Sequence, residues 1–288
     1  MKKLLQRLLI FILAVPLIVI IVLYLPQFNH LVLNVLTVIF TALGAAEFSV
    51  MLAQKKLGIS RAEAAILGAL PPAAMVLTVC FGFNFFLTLA VIAADVLWLL
   101  GSRVFSREET LHAFISRLAA GFAVLLYPGL LMTWMIGMSR WESAGVIILT
   151  FICTVFASDS TAWAAGMLFG KKNRGIIPAS PNKSIAGFIG GVFGSIIIGT
   201  GAAILRPDIF AFQHDSIPGF IAGALLGLIT GIAATLGDLA ESALKRSSGL
   251  KDSGNIILGR GGVLDSVDSV AFAAPVFYLA CRLFFALS

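Results

Sequence analysis

Apolar residues run through this chain in long blocks separated by short polar or proline-containing stretches. Nine such blocks are legible: residues 8–25, 31–53, 64–81, 85–102, 113–137, 144–169, 185–205, 218–243 and 269–287. Each approaches the about 20 apolar residues that a helix needs to cross the hydrocarbon core of a bilayer. A strand period of two is absent, and an isolated strand in lipid would leave its backbone groups without partners, so the blocks predict membrane-spanning helices. The first block follows a basic start and ends in Pro26-Gln27-Phe28-Asn29 without a small-residue cleavage site, so it is expected to stay as the first span.

Composition sharpens this picture. At 59% hydrophobic and 12% charged residues, the 288-residue chain is too apolar for an ordinary polar surface, and its outer face must meet lipid. The expected fold is therefore all-α, a polytopic helical bundle of about nine spans with a cytoplasmic N-terminus. With that orientation, 17 of the 20 Lys and Arg residues fall on the inner side, leaving only Arg140, Arg206 and Arg282 outside. The net charge of +6 then reads as topology plus attraction to anionic lipid or nucleotide, and not as nucleic-acid binding. Cys80, Cys153 and Cys281 lie singly in apolar blocks and read as small packing residues, while His30, His112 and His214 have no ligand-like spacing.

The chain reads as one integral-membrane domain, 1–288, whose halves differ. Residues 1–150 are plain apolar helix, and residues 151–288 gain glycines and polar residues inside the spans, which places the chemistry there. No internal repeat of the transporter kind is evident. Gly187-x3-Gly191, Gly190-x3-Gly194 and Gly223-x3-Gly227-x3-Gly231 predict close helix approach, within one bundle or across a homodimer.

Carboxylates inside apolar blocks are costly unless paired, hydrated or metal-bound. Glu47, Asp95, Asp159, Asp238, Glu241, Asp265 and Asp268 are the candidates. Asp238 and Glu241 stand three apart, as do Asp265 and Asp268, so a helix puts each pair on one face. Such helix ends suit Mg²⁺, a hard cation that takes one or two carboxylates and shares its other positions with water and phosphate. Helix caps and ion pairs with Lys245, Arg246 or Lys251 are the competing role. Glu47 and Asp95 belong to no motif and are expected to be structural.

The densest charge lies between the last two blocks, in Ser242-x-Leu244-Lys245-Arg246-x4-Lys251-Asp252-x-Gly254 and Gly261-Gly262-x-x-Asp265-x-x-Asp268. This spacing resembles the signature of phosphatidate cytidylyltransferases, which make CDP-diacylglycerol from CTP and phosphatidic acid. Asp159-Ser-Thr-Ala162-Trp163-x-x-Gly166-x-x-Phe169-Gly170-Lys171 is similar to a second block of that family. Ser180-Pro181-x-Lys183-Ser184 with Gly187-Phe-Ile-Gly190-Gly191 is similar to a third. The blocks span residues 159 to 268, or 110 of 288, in the family's order. There are departures: Leu258 for a Pro or Gly, Arg260 for a His, Ser266 for an Arg, and Ser184-Ile185-Ala186 for a Thr-Trp-Glu-like triplet. The cation lost at 266 accompanies one gained at 260, and the guanidinium of Arg260 is expected to meet the same phosphate.

The resemblance implies transfer of a cytidylyl group from CTP to phosphatidic acid at the cytoplasmic membrane boundary, the inner membrane in a bacterium. Asp238 and Asp265 are the implied main metal ligands, with Asp268 and Asp159 as weaker ones, for Mg²⁺ and a possible second cation. Asp238, Asp265, Lys183 and Lys251 carry the implied catalytic roles. Phosphate or nucleotide would be bound by Ser180, Lys245, Arg246, Arg260, Gly261, Gly262 and Asp252, the last orienting either Lys251 or the ribose. Two other readings compete. A CTP-dependent polyprenol kinase of the same superfamily would release CDP, and an ion-coupled transporter would show flux without nucleotide turnover.

Overall fold

The computed structural model describes residues 2–105, 108–213, 217–257, 259, 261–285 and 287, with backbone alone for 2–12, 109 and 110. The described residues form helices and no strands, apart from isolated bridges such as Ile257 to Gly261. In chain order the helices are α1 (Lys2–Tyr24), α2 (Gln27–Ala53), α3 (Arg61–Phe81), α4 (Phe86–Gly101), α5 (Glu108–Leu111) and α6 (Phe114–Val124). After a π-helical turn (Leu125–Leu130) come α7 (Leu131–Met138), α8 (Ala144–Phe169), α9 (Ile185–Leu205), α10 (Gly219–Ser247) and α11 (Leu264–Phe284). Each of the nine apolar blocks is helical over most of its described residues. Among the described residues, seven spans are long and apolar enough to cross a membrane, with α6 to α7 counted as one, while Leu13–Tyr24 and Phe86–Gly101 are shorter. Leu17, Ile39, Phe86, Leu97, Phe193 and Leu283 are among the large apolar side chains left uncovered by protein, as an outer face in contact with lipid requires. The protein is an integral membrane protein.

Local chemistry explains the breaks. Ser60 precedes α3 and accepts a hydrogen bond from the Glu63 amide at 3.2 Å, while Gly82, with a φ of 73°, closes the same helix. Pro128 removes a backbone donor within the π turn, so the span from Phe114 to Met138 widens there without ending. Hydroxyls inside the spans bond back one turn, as from Thr41 to the Thr37 carbonyl at 2.7 Å and from Thr154 to Thr150 at 2.7 Å.

The chain divides into two compact units, residues 1–140 with 244–267, and residues 141–243 with 268–288. Residues 244–267, which lie in the motif-bearing half 151–288 of the sequence, group with the N-terminal residues. The core of the first unit packs Ala45, Phe48, Met51, Leu67, Leu99, Val124 and Leu264. In the second, Phe151 meets Phe277 at a ring separation of 5.1 Å and Trp141 stacks on Tyr278 at 4.6 Å. The glycine stripes are used within the chain. A methyl group on Gly227 would run into the Ile196 Cα at 2.8 Å, and one on Gly191 would meet the Ser158 carbonyl at 3.0 Å. Those stripes bring α9 against α10 and against α8.

Candidate active site

Each unit carries its own pairing of lysine with aspartate. In the first, α10 runs to Ser247, four residues beyond its apolar block, and Gly249, with a φ of 73°, turns the chain out of it. The following loop closes on itself where Ile257 and Gly261 exchange backbone hydrogen bonds of 2.8 and 3.0 Å. Gly259 and Gly261 have φ of 74° and 117°, backbone that favours glycine. Helix α11 then starts at Leu264, five residues before its apolar block, so Asp265 and Asp268 sit inside the first turns of the helix and not ahead of it.

Asp265 is held from all sides. Oδ1 receives Lys245 Nζ at 2.5 Å, and Oδ2 receives the Ser253 amide at 2.8 Å, the Gly262 amide at 2.8 Å and the Ser253 hydroxyl at 2.9 Å. The two side chains of the ion pair are only 13% and 7% exposed. A carboxylate with four donors needs no further partner to be stable. Arg246, Lys251 and Asp252 point outward and are exposed. Arg260, Leu258 and His214 lie outside the described residues.

Glu47 was read as structural, and it proves to contact the motif directly. Its buried carboxylate, on α2, accepts from the Val263 amide at 3.0 Å, the Leu264 amide at 2.9 Å and the Ser253 hydroxyl at 3.1 Å. Its partners lie more than 200 positions away, so no local spacing could have revealed them. The one available signal was a carboxylate in an apolar block. Asp95 is buried too, with Oδ2 unbonded among the described residues, beside a cavity of about 640 Å³ walled by Ile66, Leu67, Leu70 and Trp98.

In the second unit, Lys183 Nζ meets Asp238 Oδ2 at 2.5 Å, with side chains 30% and 33% exposed. Lys183 sits in the segment 170–184, which is shaped by its own backbone bonds. The Lys183 amide donates to the Ser180 carbonyl at 3.0 Å and the Ile185 amide to Asn173 at 3.2 Å. Ser184 caps α9 by accepting from the Gly187 amide at 3.0 Å, a role that its Thr-like counterpart in the family pattern would also serve. Ser180 is half-buried, while Lys171 and Lys172 are exposed. Asp268 is buried within the negative field of Asp238, Glu241 and Asp159, and its Oδ1 accepts the Ser269 amide at 2.6 Å.

The structure thus gathers the acids predicted from sequence into two settings. Lys245, Asp265 and Gly262 meet in the first unit, and Lys183, Asp238, Asp268 and Asp159 in the second. As the side chains stand, no three His, Cys, Asp or Glu among the described residues converge on a common ion position. Asp268 and the three carboxylates around it nonetheless form the kind of oxygen-rich, electronegative setting that suits a hard divalent cation.

Comparison with known proteins gives the arrangement its relatives. A phosphatidate cytidylyltransferase from Synechocystis sp. is 42% identical over 134 residues, covering 46% of this chain and 42% of that protein. One from Bacillus subtilis is 34% identical over 168 residues, covering 57% and 59% of the two chains. One from Mycobacterium leprae is 36% identical over 167 residues, covering 58% and 46%. The chain spans about half the length of the curated relatives it matches. The model of the cytidylyltransferase family matches residues 5–284, nearly the whole sequence, and the chain belongs to that family.

Proposed function

We propose that this protein transfers the cytidylyl group of CTP to phosphatidic acid, forming CDP-diacylglycerol and releasing pyrophosphate at the cytoplasmic face of the membrane. The observation that carries the reading is that two lysines of the signature are each paired with an aspartate, Lys245 with Asp265 and Lys183 with Asp238. Such lysines are held ready as phosphate-binding cations, with the carboxylates standing in for the phosphate. The three relatives named above are phosphatidate cytidylyltransferases, which supports the same substrates. The inner-side excess of 17 of 20 basic residues supports the cytoplasmic placement.

The chemistry asks little of acids and bases. An anionic oxygen of the phosphatidate attacks the α-phosphorus of CTP, the bond from that phosphorus to the bridging oxygen breaks, and pyrophosphate leaves with the electron pair. No proton has to move, so the protein contributes position and charge neutralisation. Lys183 and Lys245 exchange their carboxylate partners for phosphate oxygens as CTP enters. The exposed Arg246 and Lys251, together with Arg260, add cations for the triphosphate, Ser180 and Asp252 bind the nucleotide, and Gly261 and Gly262 keep the neighbouring backbone open. Asp238, Asp268 and Asp159, in the second unit, are the residues that would hold Mg²⁺. The bound cation would neutralise triphosphate charge.

The test is direct. Protein purified in detergent is given CTP, phosphatidic acid and Mg²⁺, and CDP-diacylglycerol and pyrophosphate are assayed together. Equal amounts of the two, lost with EDTA and restored by Mg²⁺, are expected. Release of CDP in place of pyrophosphate would mean a lipid kinase, and solute flux without nucleotide turnover would mean a transporter.

A further inference from the structure

We propose that Glu47, outside every motif block, is a positioning residue for the reaction, fixing the segment from Ser253 to Asp265 by capping helix α11 from helix α2. The proposal rests on the activity read above. Helix α11 begins at Leu264, preceded by Val263, whose side chain offers no acceptor to the unpaired amides of the first turn. Val263 and Leu264 are 1% and 0% exposed, so water does not reach those amides. Glu47 supplies both acceptors, Oε1 to Val263 and Oε2 to Leu264, at 3.0 and 2.9 Å. A serine or aspartate at position 263 would reach only the amides two and three residues on, so these two need an acceptor from another helix.

The glycines of the signature make room for it. A Cβ on Gly254 or on Gly262 would come within 2.7 Å of the Glu47 carboxyl carbon, and one on Gly261 within 2.6 Å of Asp265 Oδ2. Gly254 and Gly262 therefore serve the approach of a side chain from α2, a need separate from any phosphate. The contact also reaches the functional carboxylate. Ser253 Oγ lies 3.1 Å from Glu47 Oε2 and 2.9 Å from Asp265 Oδ2. A hydroxyl carries one proton, so it serves one of these oxygens at a time, and Glu47 and Asp265 compete for it. Through Ser253, Glu47 sets both where Asp265 sits and how many donors it keeps when Lys245 departs.

The experiment compares Glu47→Gln with wild type in the complete purified chain, assayed with CTP, phosphatidic acid and Mg²⁺ beside amide hydrogen exchange. The glutamine keeps the shape but turns an N–H₂ toward one of the amides. We expect kcat per folded molecule to fall about 10–100-fold, the range seen when a group that orients a functional side chain is removed. KM for both substrates should stay within about twofold, since the group touches no substrate, and the amides of residues 262–264 should exchange faster. Ser253→Ala should lower kcat as well, and the double variant should be no worse than the stronger single, because both act through one hydroxyl. If Glu47→Gln does not fold, Gly254→Ala pushes on the same carboxylate from the loop side and should reproduce the loss of kcat and the faster exchange. Normal kcat per folded molecule, or additive losses in the double variant, would overturn the proposal. If wild type itself makes no CDP-diacylglycerol, the activity reading falls. Unchanged exchange at 262–264 would then refute Glu47 as the cap, and faster exchange would sustain it.

Discussion

The two lysine–aspartate pairs share a distance of 2.5 Å and little else. Lys245 and Asp265, in the first unit, are nearly enclosed, and the carboxylate has three further donors from Ser253 and Gly262. Lys183 and Asp238, in the second unit, are each about one-third exposed, and Asp238 has in addition a long 3.4 Å contact from the Ser242 hydroxyl. Burial separates architecture from chemistry. Removing a member of the enclosed pair by mutation leaves a charge in a dry setting, whereas the open pair contributes little to stability.

The largest effect is expected from Asp265→Asn. It leaves the Lys245 ammonium buried without its counter-charge, a loss of about 3–5 kcal/mol in comparable settings, so both the melting temperature in detergent and pyrophosphate release should collapse. Next comes Asp238→Asn, which should lower turnover by at least about 100-fold while shifting the melt hardly at all, because an open pair is worth about 0–1 kcal/mol. An equal loss of stability in the two variants would erase the contrast between the units. Gly227→Leu should act on stability before chemistry, costing about 1–3 kcal/mol by forcing α9 from α10, read as a lowered melting temperature. The smallest effect is expected from Arg260→Ala, a rise in KM for CTP of about tenfold with the melt unchanged, corresponding to about 1.4 kcal/mol of substrate binding. Unaltered turnover and CTP affinity would remove Arg260 from the phosphate set.

Much of this contrast was legible in advance. The blocks at 144–169 and 185–205 match α8 and α9 at both ends, because lipid demands continuous apolar helix and tolerates no other backbone. The spaced acids and lysines of 242–268 pointed to the segment in which Lys245 and Asp265 pair, since like spacing on a helix puts charges on one face. The partners chosen were not legible. Asp238 pairs with Lys183, 55 positions earlier, and nothing in either neighbourhood favours that lysine over Lys171, Lys172 or Lys245. Gly262 reads as a phosphate-binding glycine and Gly254 as a bare motif position until Glu47 is seen to occupy the space a Cβ would fill.

The amino-acid order alone determined that the chain is helical, that it lives in a membrane and that its charge gathers between the last two spans, because these follow from hydropathy and period over neighbouring residues. Only the tertiary structure decided which carboxylate is enclosed and which is open, and that α2 caps α11. Burial and long-range hydrogen bonds depend on which distant helices meet, and that is a property of packing which no local spacing encodes.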